Sequence, residues 1–87
     1  MKRNEIISRV KAIVQPYAQD KVVLENLTEQ TDFVKDLKIN SANIVDIVLD
    51  IESAYNIEID NESIEKMNTV GSAIDIINSK KSENDRK

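Results

Sequence analysis

The run Asn40-Ser41-Ala42-Asn43-Ile44-Val45-Asp46-Ile47-Val48-Leu49-Asp50-Ile51-Glu52-Ser53-Ala54-Tyr55 limits the fold more than any other part of the chain. Its Ile and Val residues favour a strand, but a half-buried strand needs apolar and polar positions to alternate. Here apolar residues sit side by side at 44–45, 47–49 and 54–55, and no Gly or Pro interrupts the run. At about 100° per residue, Ile44, Ile47, Val48, Ile51 and Tyr55 share one face of a helix. Asn40 is placed to cap it, because its side-chain oxygen can accept from a backbone N–H of the first turn.

The other side of this helix is less regular. Ser41, Val45, Leu49 and Glu52 fall in a line, flanked by Asp46 and Ser53. An unpaired buried carboxylate is very costly, so a solvated Glu52 would leave Val45 and Leu49 at least partly exposed beside it. Periodicity leaves two alternatives: a weakly apolar docking stripe headed by a hydroxyl, or two residues covered by a neighbouring loop.

A chain of 87 residues is one small domain with a modest core. It has no Cys and no His, which excludes disulfides, thiolate metal sites and Cys or His nucleophile systems. A serine hydroxyl needs an adjacent base to act as a nucleophile, and no conventional one stands near Ser41. Any chemistry at Ser41 is therefore expected to be done by another enzyme. Glu58, Asp60 and Glu62 alternate like part of a calcium loop, but the Gly and the closing Glu are missing, so no metal site is expected.

The formal charge is −4, unevenly spread. Asp46, Asp50, Glu52, Glu58, Asp60, Glu62 and Glu65 fall between Ile39 and Glu65 with no Lys or Arg among them. An acidic middle argues against nucleic acid and for basic protein partners. No apolar run follows Lys2 and Arg3 as in a secretory leader, and none is long enough to span a bilayer. A cytoplasmic protein without stable membrane insertion is expected.

The first helix begins near Arg3, with Ile6, Ile7, Val10, Ile13, Val14 and Tyr17 on one face. Pro16 disfavours helical geometry at Gln15, so the helix either ends near Val14 or kinks and continues to Ala18. Residues 19–39 form a long connection in which Val22 to Leu27 can add a helical turn and Phe33, Val34 and Leu37 pin the loop to the core. Ile57 and Ile59 are expected as core plugs, Asp60 as the cap of a short helix over 61–66 with Ile64 and Met67 inward, and Thr69 as the cap of a last helix to about Ser79. Val70, Ala73, Ile74 and Ile77 line its inner face. Residues 80–87 have no apolar side chain and are expected to be disordered.

The segment Asp36-Leu37-Lys38-Ile39-Asn40-Ser41-Ala42-Asn43, followed by Val45-Asp46-Ile47-Val48-Leu49 and Glu52, resembles the signature of the acyl carrier proteins. In that family a D-S-L tripeptide opens the second helix, and its serine carries a 4′-phosphopantetheine arm. Phe33, three residues before Asp36, fits the pattern. Ile57-Glu58-Ile59, Glu65-Lys66-Met67-Asn68-Thr69-Val70 and Ala73-Ile74-Asp75 resemble the family's third and fourth helices, so the likeness covers about residues 3–79. It implies an all-α fold: a small four-helix bundle over 1–79 with a long first loop and a short third helix, then the charged tail 80–87.

The same resemblance implies a carrier rather than an enzyme, a monomer that shuttles thioester-bound acyl intermediates between biosynthetic enzymes. Ser41 would accept the arm from a phosphopantetheinyl transferase. Asp36, Ala42, Val45, Asp46, Leu49 and Glu52 would dock acyl-transferring and acyl-modifying enzymes that bear basic patches. Ile44, Ile47, Val48, Ile51 and Ile74 would line a space for the acyl chain. The motif also departs from the family. Asn40 replaces the usual Asp, Ala42 the usual Leu and Asn43 an acidic residue, while Lys38 stands where Gly is common. Asn caps as well as Asp, but two negative charges and one apolar contact are lost. Those losses point to a dedicated transferase and a specialised acyl or polyketide pathway. They also favour the alternative of an unmodified carrier-fold interaction module, against which the retention of Ser41 argues.

Overall fold

The computed structural model describes residues 2–85. Its elements in order are α1 (Arg3–Val14), α2 (Lys21–Glu25), a 3₁₀ turn (Ser41–Asn43), α3 (Ile44–Tyr55), α4 (Asn61–Lys66) and α5 (Val70–Asp85). The expected four helices are α1, α3, α4 and α5, and α2 is the extra turn within the long first loop. Among the described residues there is no strand, and no helix is long and apolar enough to cross a membrane.

Helix α1 stops at Val14. The carbonyl of Val14 accepts from both Tyr17 N (2.9 Å) and Ala18 N (2.9 Å), closing a turn around Pro16. Ile6, Val10 and Val14 are buried and face Ile47, Val48, Ile51 and Tyr55 of α3 and Val70, Ala73, Ile74 and Ile77 of α5 in one core. The Tyr55 hydroxyl is buried without a hydrogen-bond partner among the described residues, and burial pushes its pKa up. Arg9 lies over the ring at 5.5 Å. The α3 helix ends at Asn56, whose left-handed backbone (φ 54°) suits a short polar side chain, and Ile57 and Ile59 then plug the core.

The first loop is tied along its length. Asp20 accepts from Val23 N (3.1 Å) to start α2. Phe33 N donates to Asn68 O (3.0 Å) and Val70 N to Thr31 O (2.9 Å), an isolated antiparallel bridge beside Asp32 and Thr69. Gly71 N donates to Glu29 O (2.8 Å), and a Cβ on Gly71 would lie 2.9 Å from that oxygen. The close approach therefore requires glycine. Arg3 spans the junction, with its Nε donating to Glu29 Oε2 (3.0 Å) and its Nη1 to Asp75 Oδ1 (2.9 Å). These bonds hold the Glu29 carboxyl below its ordinary range.

Some expectations need correction. Val34 is 43% exposed, so only Phe33 and Leu37 pin the loop. Asp60 does not cap α4 through a backbone N–H. Its carboxylate accepts from the Ser63 hydroxyl (2.6 Å) and pairs with Lys80 (3.4 Å). Helix α5 continues past Ser79 to Asp85, where the sequence has no Gly or Pro to stop it and Lys80 is tied back to Asp60. Residues 86–87 of the expected disordered tail lie outside the described residues.

Candidate functional site

Ser41 heads the 3₁₀ turn that leads into α3. The turn exists because Asn40, in extended backbone, turns its Oδ1 to accept from Ala42 N (2.9 Å) while its carbonyl accepts from Asn43 N (2.8 Å). Asn40 thus caps as expected, although the first turn after it is 3₁₀ and the α-helix starts at Ile44. Ile39, just before, is buried and fixes the chain to the core. Between the buried Leu37 and Ile39, Lys38 adopts a left-handed backbone with φ 60°. That conformation costs a β-carbon-bearing residue about 1–2 kcal/mol and is free to glycine.

The Ser41 side chain itself is exposed, and its hydroxyl has no hydrogen-bond partner among the described residues. Ser41 lines an open groove of about 500 Å³ together with Asp32, Val34, Lys35, Ile44, Ile64, Met67 and Asn68. The groove runs between the end of the first loop, the start of α3 and the end of α4. An exposed, unengaged hydroxyl beside a partly apolar groove fits a site where a long, flexible group is attached. Among the described residues no group of three or more carboxylates is placed to hold a metal.

The predicted docking residues divide into two sets. Ala42, Val45, Asp46 and Leu49 are exposed on the side of α3 that continues from Ser41, with Val45 at 55% and Leu49 at 56% exposure. The described part of the chain lays no loop over them, which removes the covered-residue alternative. Glu52 is different. It is half-buried and its Oε2 accepts from Ile59 N (2.7 Å), so its carboxylate braces the link after α3. Asp36 is exposed, but its Oδ2 accepts from Asp32 N (2.8 Å) and closes the loop.

The predicted acyl-chain residues also divide. Ile44 is half-buried and lines the groove, whereas Ile47, Val48, Ile51 and Ile74 are packed in the closed core. The groove's far wall, Ile64, Met67 and Asn68, lies outside the site residues the sequence predicts. The inward placement of Ile64 and Met67 was readable, but their approach to Ser41 depends on how α4 folds back.

Comparison with known proteins bears directly on this site. Residues 9–77 match the family model described as the phosphopantetheine attachment site. The chain is similar to the acyl carrier protein of Buchnera aphidicola subsp. Schizaphis graminum, 36% identical over 77 residues, covering 88% of this chain and 95% of that protein. It is similar to the acyl carrier protein of Thermotoga maritima, 34% identical over 80 residues, covering 90% of this chain and 94% of the relative. The crystal structure of the Thermotoga maritima acyl carrier protein superposes with a TM-score of 0.79 at 28% identity, covering 95% of this chain and 94% of that one. The solved structure of the Enterococcus faecalis acyl carrier protein gives a TM-score of 0.74 at 31% identity, covering 92% of this chain and 99% of that one.

Proposed function

The chain belongs to the acyl carrier protein family, and from that premise we propose that Ser41 is its point of phosphopantetheine attachment and the start of its docking face. Family members are carriers, not enzymes, and the matched family model denotes a phosphopantetheine attachment site. The observation that carries the assignment to Ser41 is its exposed, unpartnered hydroxyl on the rim of the groove.

When bound, phosphopantetheine supplies a terminal thiol that can hold an acyl group as a thioester, a chemistry the cysteine-free chain lacks. The chain's own residues do the rest. Asn40 and the buried Ile39 fix the turn so that the hydroxyl faces solvent. Ala42, Val45 and Leu49 offer the apolar centre of a contact, and Asp46 offers a carboxylate to a basic patch on the transferase or on acyl-handling enzymes. Such exposed pairs are individually weak and salt-screened, which suits a carrier that must dissociate. Glu52 and Asp36 support the frame rather than the contact. Ile44 opens the groove, and Ile47, Val48, Ile51 and Ile74 line the space an acyl chain reaches when the core beneath parts. Residues 1–79 form the carrier unit, working as a cytoplasmic monomer.

The neutral Asn40 and Asn43 and the basic Lys38 around Ser41 support service in a specialised acyl or polyketide pathway, with its own transferase. The attachment is tested by incubating the protein with coenzyme A, Mg²⁺ and several transferases and locating the added group by tandem mass spectrometry. A phosphopantetheine on the peptide containing Ser41 is expected, and loading at another residue would overturn the assignment. Efficient turnover of the loaded carrier by general fatty-acid synthase enzymes would overturn the specialised role.

A further inference from the structure

Two lysines precede Ser41, and the fold treats them differently. Lys35 lines the groove with Ser41, whereas Lys38 does not. Neither makes an ion pair among the described residues. The carboxylates nearest in the chain are already engaged by the backbone. Asp32 Oδ1 accepts from Val34 N (2.9 Å) and Lys35 N (2.8 Å), and Asp36 Oδ2 accepts from Asp32 N (2.8 Å). Asn40 just before the serine and Asn43 two residues after it carry uncharged amides, and Asn40 is committed to its cap. Lys35 is thus the groove's one cationic side chain, and the groove's one carboxylate, Asp32, is turned into its own loop.

A serine that receives phosphopantetheine acquires a phosphodiester, which is ionised at every pH of interest. We propose that Lys35 is the counter-cation for that phosphodiester, a positioning residue that holds the base of the arm over the groove toward Ile64 and Met67. The inference rests on Ser41 as the attachment residue. A lysine ammonium on a flexible stem can follow a phosphate oxygen as a point charge, without fixed geometry. Lys35 is exposed, so the pairing is weak and salt-sensitive, and the arm is released when a partner enzyme draws it out.

The test uses the holo-protein, shown by intact mass to carry one arm, as wild type, Lys35→Gln and Lys38→Gln. The ³¹P shift of the phosphodiester and the NMR relaxation of the arm's two amides are read at low salt and at about 0.5 M NaCl, where the Debye length is only a few ångströms. In Lys35→Gln the ratio of groove-bound to free arm is expected to fall about two- to fivefold, the change that loss of an exposed ion pair brings. Both signals should then match those of the wild type at high salt, and Lys38→Gln should match the wild type at low salt. An arm equally ordered in Lys35→Gln and wild type would overturn the inference, as would an equal loss in Lys38→Gln, which would reduce it to a general field effect. Location of the arm on a residue other than Ser41 by tandem mass spectrometry would instead overturn the assignment of Ser41, and the inference with it.

Discussion

The stretch from Glu29 to Asp46, which leads from the first loop into α3, has two halves that behave differently. From Glu29 to Leu37 the chain is fastened. Phe33 and Leu37 are fully buried, the bridge beside Asp32 joins the loop to the start of α5, and Arg3 ties Glu29 to Asp75 across the same junction. From Lys38 to Asp46 the chain is open. Only Ile39 is buried, Lys38 holds a strained backbone, and Ser41, Ala42 and Val45 face solvent. The contrast teaches how a domain with so small a core presents a modifiable hydroxyl. The first half supplies rigidity through long-range contacts, and the second can then leave its functional groups unsatisfied by the protein itself.

If the division is right, substitutions in the fastened half cost stability and those in the open half do not. The largest effect is expected for Phe33→Ala, which empties a fully buried site and should lower unfolding stability by about 3–5 kcal/mol in urea titration followed by circular dichroism. Gly71→Ala should cost about 1–3 kcal/mol by the same measurement, since its Cβ would press on the Glu29 carbonyl, which is backbone and cannot turn away. Lys38→Gly should move the other way, gaining about 0.5–1 kcal/mol as the left-handed strain is relieved against a more flexible unfolded chain. A loss of stability on Lys38→Gly would break the comparison.

The smallest effect concerns acid. The Glu29 carboxyl is held below its ordinary value of 4.5, first by its hydrogen bonds from Arg3. A depressed folded pKa contributes stability that is present above the ordinary value and is lost as pH falls through the folded one. The stability difference between wild type and Glu29→Gln should therefore be small but measurable near neutral pH and shrink steadily below about pH 4.5. The clamp is partly exposed, so the difference should also fall with added salt.

The helices and the open half were largely legible in the sequence. Periodicity puts Ile44, Ile47, Val48, Ile51 and Tyr55 on one face and leaves Val45 and Leu49 either exposed or covered by a loop; the structure buries the first set except the half-buried Ile44 and exposes the second. Asn40 was readable as a cap because capping is local in sequence. The fastened half was much less legible, because its contacts join residues far apart in the chain. Nothing in the pattern pairs Arg3 with Glu29 and Asp75, and Gly71 reads as a tolerated helix residue until the Glu29 carbonyl is seen against it. The sequence places Glu52 among the docking residues, yet the turn at Asn56 brings Ile59 N within 2.7 Å of its carboxylate. Charge also misled at the C-terminus, where the absence of apolar residues suggested disorder while Lys80 pairs with Asp60 and the helix continues.

The most direct test of the central claim, a modifiable serine on a frame that does not depend on it, is to follow Ser41→Ala and wild type in parallel by intact mass and by urea unfolding. With coenzyme A, Mg²⁺ and an accepting transferase, the wild type should gain the mass of one phosphopantetheine and Ser41→Ala none, while the two proteins without the arm unfold within about 0.5 kcal/mol of each other. A mass gain that survives Ser41→Ala, or a variant that loses its modification only because it no longer folds, would contradict the account.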